Sequence, residues 1–317
     1  MDAYSSDPAL HACERQGRER LNMTQASESN GSSVADGHGP RIVVRPGVGA
    51  AAGVLQQQAL EFKRLFIENP VLIFVERGLK TIRWPGGECI IPPGQAIALA
   101  GGQSLDVTNQ PEGDGSYRAH WLVWDDALLG AHADAYPQLA VIRHALPIHP
   151  GSGEFAAAFH RATQAVEDAA LPTAVARHRL AELLQWIGTF GSRFEQVQAL
   201  TMAIQVRRLI GQDMARDWSA NAVASAFAMS EATLRRKLAD EGTSLSTILV
   251  DARMSFALTL LQSTAQPVTQ IALAVGYQTP SQFAVRFRDR FGFVPTAVRG
   301  HRRAAPDASM LGMPVTS

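Results

Sequence analysis

The chain has 317 residues, 46% of them hydrophobic and 18% charged, and a formal net charge of zero. Those values leave room for two ordinary globular domains, each large enough to bury its own core, and exclude a highly charged disordered chain. No run approaches the roughly 18 apolar residues of a membrane-spanning helix. The two cysteines, Cys13 and Cys89, are too few for a disulfide framework or a cysteine-held metal cluster, so the cytoplasm is the default location.

Residues 1–40 are rich in Ser, Asn, Gly, Asp and Ala and are expected to be a disordered leader without an apolar signal segment. Residues 41–150 carry β texture, strongest from about 55 to 130. Val71 to Val75 and Leu79 to Ile82 flank Glu76-Arg77-Gly78, a strand–turn–strand signal. Pro85-Gly86-Gly87 is a turn before Cys89-Ile90-Ile91, and Pro92-Pro93-Gly94 is another. Ala96 to Ala100, Leu105 to Thr108 and Tyr117 to Trp124 supply further short strands. Short strands separated by turn residues at close spacing suggest a small barrel or sandwich.

Residues 151–194 change to helical texture, with Glu154 to Ala170 and Thr173 to Phe190 divided at Leu171-Pro172. Phe155, Phe159, Ala162 and Val166 recur at helical spacing, and this apolar stripe is a candidate face for packing on the β domain or on a second subunit. Residues 195–303 read as wholly helical, and residues 304–317 as a flexible tail. Charge divides along the same line. Residues 1–199 hold 16 Lys/Arg against 21 Asp/Glu, whereas residues 200–303 hold 13 against 7. A basic C-terminal region beside an acidic partner is the footprint expected when only one of the two meets phosphate.

The C-terminal region repeats one design. Val223, Ala224 and Phe227 share a helix face, Ala228-Met229-Ser230 turns, and Leu234 and Leu238 repeat at i, i+4 before Gly242. Ile271, Ala272 and Val275 share a second face, Gly276 breaks it, and Phe283 and Phe287 repeat at i, i+4 before Gly292. A small Ala at the second apolar position lets two short helices cross closely, as a helix-turn-helix requires. The second helix of each unit is the reading element. The candidate DNA-contacting residues are Ser230, Glu231, Ala232, Thr233, Arg235 and Arg236, then Thr279, Ser281, Gln282, Val285 and Arg286. Arg pairs with guanine and Gln with adenine in the major groove. Arg288 and Arg290 read instead as a solvated cationic face. Leu245 to Leu261 forms a connecting helix of about 25 Å, able to hold two readers near the roughly 34 Å between successive major grooves.

These residues resemble the AraC/XylS family of bacterial transcription regulators from about Trp218 to Arg299. The likeness rests on Trp218-Ser219, Ala224 with Phe227, Met229-Ser230 with Leu234 and Arg236, and Glu241-Gly242. It continues with Arg253-Met254, Leu260-Leu261, Val275-Gly276-Tyr277, Phe283 with Phe287, and Phe291-Gly292 with Pro295 and Arg299. The resemblance implies an α+β chain. An N-terminal cupin-like β-barrel with a helical extension precedes an all-α domain of two helix-turn-helix units joined by a linker helix. It also implies a promoter-binding regulator, an activator rather than a pure repressor. Its partners would be double-stranded promoter DNA, RNA polymerase, a small-molecule effector or protein at the N-terminal domain, and a second copy. Three positions depart from the family pattern: Val285 stands where Arg is frequent, Pro267 where a Ser cap is frequent, and Val298 where an aromatic is usual.

In the β domain His120, Trp121 and Trp124 are candidates for an effector pocket, against the plainer reading of core aromatics with one outward polar residue. His120 has no neighbouring cluster of His and Glu, so no metal and no cofactor is expected. Cys89 reads as a small buried hydrophobe rather than a redox sensor. An enzyme fused to the DNA reader would need a nucleophilic cysteine at a strand-to-helix elbow, and Cys89 runs into Ile90-Ile91-Pro92.

Overall fold

The computed structural model describes residues 42–113, 115–151, 153–195 and 201–299. The expected leader, with Cys13, and the expected tail lie outside them. The β region comprises β1 (Ile42–Arg45), β2 (Gly49–Gln56), β3 (Leu60–Ile67), β4 (Val71–Arg77), β5 (Leu79–Trp84), β6 (Gly87–Ile91), β7 (Ala96–Leu99), β8 (Gln103–Gln110) and β9 (Tyr117–Trp124). Helix α1 (Asp126–Ala135) and strands β10 (Ala140–Val141) and β11 (Ala145–Ile148) follow. Two antiparallel sheets face each other, one in the order β1-β2-β9-β4-β7-β11 and the other β3-β8-β5-β6. They remain separate rather than closing into the expected barrel.

Gly78 is the reason β4 and β5 do not form a hairpin. Its φ is +78°, and a Cβ there would lie 2.4 Å from the carbonyl oxygen of Gln110. Only glycine lets the chain turn this corner and pass from one sheet to the other. Side chains then alternate with the period of two that a pleated strand imposes. On β4, Leu72 and Phe74 face the helical layer, while Val71 and Val75 face the second sheet.

That helical layer is α2 (Glu154–Glu167) and α3 (Thr173–Thr189), followed by β12 (Ser192–Arg193), which pairs with β10. The apolar stripe Phe155, Phe159, Ala162 and Val166 is buried against the chain's own six-stranded sheet. It is therefore not a free face for a second subunit. Ala51 on β2 packs into this layer, and Trp124 donates its indole N–H to the Leu180 carbonyl at 2.9 Å. Arg45 donates to the carbonyls of Ala165 (2.7 Å), Asp168 (2.8 Å) and Leu171, satisfying an orphan acceptor in the last turn of α2 and tying down the loop after it.

The C-terminal region holds α4 (Met202–Gln212), α5 (Ala220–Ala226), α6 (Glu231–Asp240), α7 (Leu245–Ser263), α8 (Val268–Ala274), α9 (Pro280–Phe291) and α10 (Pro295–Val298). Its two halves have separate cores. Met202, Val206, Val223, Ala224, Leu234, Leu238 and Ile248 pack together around the first unit. Phe283, Phe287, Phe291, Ile271, Ala272 and the far half of α7 form a second cluster that runs without interruption into the space between the sheets. Phe62 of β3 meets Phe291 edge-on at 6.0 Å and Phe293 at 5.7 Å. No single helix among the described residues is long and apolar enough to cross a membrane.

Candidate nucleic-acid interface

Both units are built as helix, tight turn, capped reading helix. In the first, Ser219 caps α5 by accepting from the Ala222 N–H at 3.1 Å. After Phe227 the chain turns through Ala228 at φ +51°, and the Met229 N–H returns to the Ala224 carbonyl at 3.0 Å. Ser230 then caps α6, accepting from the Thr233 N–H at 3.2 Å. In the second, α8 starts directly after Pro267, which offers no side-chain cap, and Gly276 at φ +82° makes the turn. The Tyr277 N–H returns to the Ala272 carbonyl at 2.9 Å. Thr279 caps α9 through the Gln282 N–H at 3.2 Å, with Pro280 in the first helical turn.

The buried pairs Leu234/Leu238 and Phe283/Phe287 set which faces look outward. Glu231, Ala232, Arg235 and Arg236 are exposed on α6, with Thr233 partly covered. Ser281, Gln282, Val285 and Arg286 are exposed on α9. The sequence-predicted contacts therefore lie on the solvent face of each reading helix. Neither Arg235 nor Arg236 has an ion pair among the described residues. Lys237 and Arg288 are exposed beside these faces and extend the cationic surface. α7, at 19 residues, is about 28 Å long and separates the two units.

Arg290 departs from the expectation of a solvated cationic face. Its Nε donates to Asp251 of α7 at 2.7 Å, Nη1 to the Lys63 carbonyl at 2.8 Å and Nη2 to the Arg64 carbonyl at 2.6 Å. Those carbonyls turn toward α9 because β3 bulges between Phe62 and Leu65, with Arg64 at φ +50° and its N–H held by Asp106 at 2.6 Å. Asp251 is shared with Arg207 of α4 at 3.4 Å. The second unit is thus bolted to the β domain at the base of its reading helix.

Three further side chains, unassigned from sequence, brace the readers. Glu241 accepts from the N–H groups of Met202 (2.7 Å) and Ala203 (2.8 Å), capping α4 where a carboxylate also opposes the helix dipole. Arg253 donates to the carbonyls of Met214 (3.2 Å) and Arg216 (2.9 Å) and lies over the Tyr277 ring, linking the two units. Arg299 reaches the carbonyls of Leu261 (3.1 Å), Thr264 (2.7 Å) and Gln266, closing the C-terminus of α7. Val298, in place of the aromatic, is fully buried.

A cavity of about 410 Å³ opens where the sandwich meets α4 and α7. Its walls are mostly apolar, with Lys80, Asn109, Tyr117 and Gln262 among the polar groups, and with Arg207 and Glu68, whose carboxyl burial holds above its usual range, also lining it. Lys80 Nζ donates to Asn109 Oδ1 at 2.7 Å, Asn109 Nδ2 to Gln56 Oε1 at 3.2 Å, and Gln262 of α7 to the same Gln56 oxygen at 3.2 Å. This chain ties the β domain to the linker helix. Burial lowers the Lys80 ammonium to about 7 and raises the Tyr117 phenol, whose hydroxyl has no hydrogen-bond partner among the described residues. Of the three candidates from sequence only Trp121 lines this cavity. His120 and Trp124 point to the opposite face of β9, as strand alternation requires. His120 instead meets Glu76 at 3.3 Å, and that contact holds the Glu76 carboxyl below its usual range. Cys89 is half-buried rather than fully buried as expected, and burial, reinforced by Glu88, raises its thiol to about 11, which disfavours the thiolate at neutral pH.

Residues 223–301 match a family described as a helix-turn-helix domain. The chain is 40% identical over 101 residues to the transcriptional regulator SirC of Salmonella typhimurium, covering 32% of this chain and 34% of SirC. It is 35% identical over 95 residues to the HTH-type transcriptional regulator GadX of Escherichia coli, covering 30% of this chain and 35% of GadX. The match thus spans about a third of each relative's length. Among solved structures, ToxT from Vibrio cholerae aligns over 78% of this chain and 97% of its own, with a TM-score of 0.56 at 12% identity. An unsaturated fatty acid-bound ToxT aligns over 78% of this chain and 93% of its own, with a TM-score of 0.57 at 11% identity. These likenesses establish a shared fold: a β-rich N-terminal domain in front of a helical C-terminal one.

Proposed function

We propose that this chain, whose residues 223–301 form a helix-turn-helix domain of the AraC/XylS type, is a sequence-specific transcription regulator that seats α6 and α9 in successive major grooves of promoter DNA. The observation that carries the reading is the pair of capped reading helices, each presenting unburied polar side chains and separated by one rigid helix. Arg235 and Arg236 supply most of the base reading in the first half-site. Exposed Lys/Arg and the capped helix N-termini hold phosphates. The role is activation, by contact with RNA polymerase from the DNA-bound chain, as the names of relatives such as the HTH-type transcriptional activator CfaD of Escherichia coli suggest.

The cavity beside Lys80 is the effector site of this reading. A buried ammonium in an apolar chamber suits an amphipathic carboxylate, whose negative charge would restore the charged form of Lys80 while its hydrocarbon fills the walls. The fatty acid bound by the ToxT relative has that chemistry. Phe62 and Arg207 border the cavity and also contact Phe291 and the Asp251–Arg290 pair, so a ligand there acts on the seat of the second unit.

The test compares binding of the full chain to a DNA sequence enriched from random duplexes and to an unrelated duplex. Arg236→Ala is expected to cost about 1–3 kcal/mol on the enriched sequence and little on the unrelated one. Equal loss on both would make Arg236 a phosphate contact. No enrichment at all would refute sequence-specific reading.

A further inference from the structure

The two reading helices can be aligned by their own structure. Ser230 and Thr279 are the capping residues, and Leu234/Leu238 and Phe283/Phe287 are the buried pairs, at four and eight residues after each cap. On that alignment Arg236 and Val285 hold the same place, six residues after the cap. Val285 is 50% exposed, an apolar branched side chain at the centre of a polar reading face. Exposed Gln282 and Arg286 flank it, whereas Phe283 and Phe287 turn inward. The turn before α9 contains one more residue than the turn before α6, counted from Ala224 to Ser230 and from Ala272 to Thr279. The clamp on Arg290 holds the helix base independently of that difference.

We infer that Val285 is a specificity residue that selects thymine in the second half-site, at the position equivalent to the one where Arg236 meets guanine. The inference rests on the DNA-reading function proposed above and adds the base chemistry that distinguishes its two halves. In the major groove thymine alone presents a methyl group, beside its O4 acceptor, while guanine, adenine and cytosine offer hydrogen-bonding groups and no methyl. Valine offers no hydrogen bond, so a polar edge held against it loses water without replacement. A methyl held against it is removed from water on both sides. Valine is also nearly fixed at χ1 in a helix, so little side-chain freedom is lost on contact. Two units of one design therefore read different chemistry, and the operator is asymmetric as a consequence.

The test selects duplexes from a random library with the full-length chain and then replaces each thymine of the second half-site by uracil, which removes only the methyl. One such replacement is expected to weaken wild-type binding about fourfold, the worth of one buried methyl-sized group. The same replacement should cost Val285→Ala clearly less, because alanine keeps only its Cβ near the groove. Because Val285 is a surface residue, the variant should fold, and its melting temperature checks this. Selection with Val285→Arg should recover guanine at that position. Thymine and uracil bound equally at every position by the wild type would overturn the inference, as would an equal loss in Val285→Ala. A library with no enriched sequence would overturn the DNA-reading function itself and this inference with it.

Discussion

Replacing Arg290 by alanine removes a guanidinium that makes three bonds from the base of α9. The bond to Asp251 joins two charged groups in a setting where the arginine side chain is only 9% exposed, and such a bond contributes about 1.5–3 kcal/mol. The two bonds to the β3 carbonyls end at exposed acceptors that water can recover, so each adds about 0.5–1 kcal/mol. Asp251 keeps Arg207 at 3.4 Å, which spares it the full penalty of an unpaired buried charge. The expected loss is therefore about 2.5–5 kcal/mol, read as a lower urea midpoint for the transition of the second unit. Arg290→Lys should recover only part of it, because an ammonium cannot reproduce the fork. Limited proteolysis should open the α9–β3 junction first. A midpoint change worth less than about 0.5 kcal/mol would refute the clamp and return Arg290 to the solvated cationic face.

Lys80 makes stability depend on pH. Its folded pKa, about 7, lies below the ordinary 10.5, so the unfolded chain binds the extra proton between those values and stability rises with pH across the window. The contribution is full above about 10.5 and is lost as pH falls through about 7. Lys80→Met should flatten this slope in chemical unfolding at several pH values; an unchanged slope would place the ammonium in water. Gly276→Ala should destabilise by about 2–3 kcal/mol, because its φ of +82° is strained for alanine and the new Cβ would sit 2.7 Å from Arg253. Ala228→Gly, at φ +51°, should be neutral or slightly stabilising in the same melting assay. Glu241→Ala should cost about 1–2 kcal/mol by uncapping α4, and a thermal melt unchanged from wild type would contradict that role.

Local chemistry made the reading helices legible. The turn at Ser230, the i, i+4 apolar pairs and the glycines at 242, 276 and 292 act within a turn or two of chain, and the structure uses each near its expected place, whereas Thr279, read only as a DNA contact, also caps its helix. Strand β9 likewise runs from Tyr117 to Trp124 as its composition suggests. Elements determined by distant neighbours were hidden. β2 is built on Gly49 and three alanines, poor strand formers; Gly49 suits it because Leu180 and the Val123 carbonyl leave no room for a Cβ, and Ala51 because it packs into the helical layer. Helix α1 begins at Asp126 behind an Asp125 cap, too close to the last strand for β texture to give it away. Grouping His120, Trp121 and Trp124 overlooked a pattern the sequence did contain, since alternation puts Trp121 on the face opposite the other two. Arg290 meets backbone more than 220 residues away, a pairing without local signature. Lys80 sits in an ordinary strand segment, and only the sandwich around it reveals a buried charge.

The central claim is that two helices of one chain read two successive major grooves. The most direct measurement is a hydroxyl-radical and guanine-methylation footprint of the full-length chain on its enriched DNA sequence. Two protected patches on one face of the duplex, about one helical turn apart, are predicted, with Arg236→Ala erasing guanine protection in only one of them. A single patch, or even protection along the whole fragment, would contradict the account.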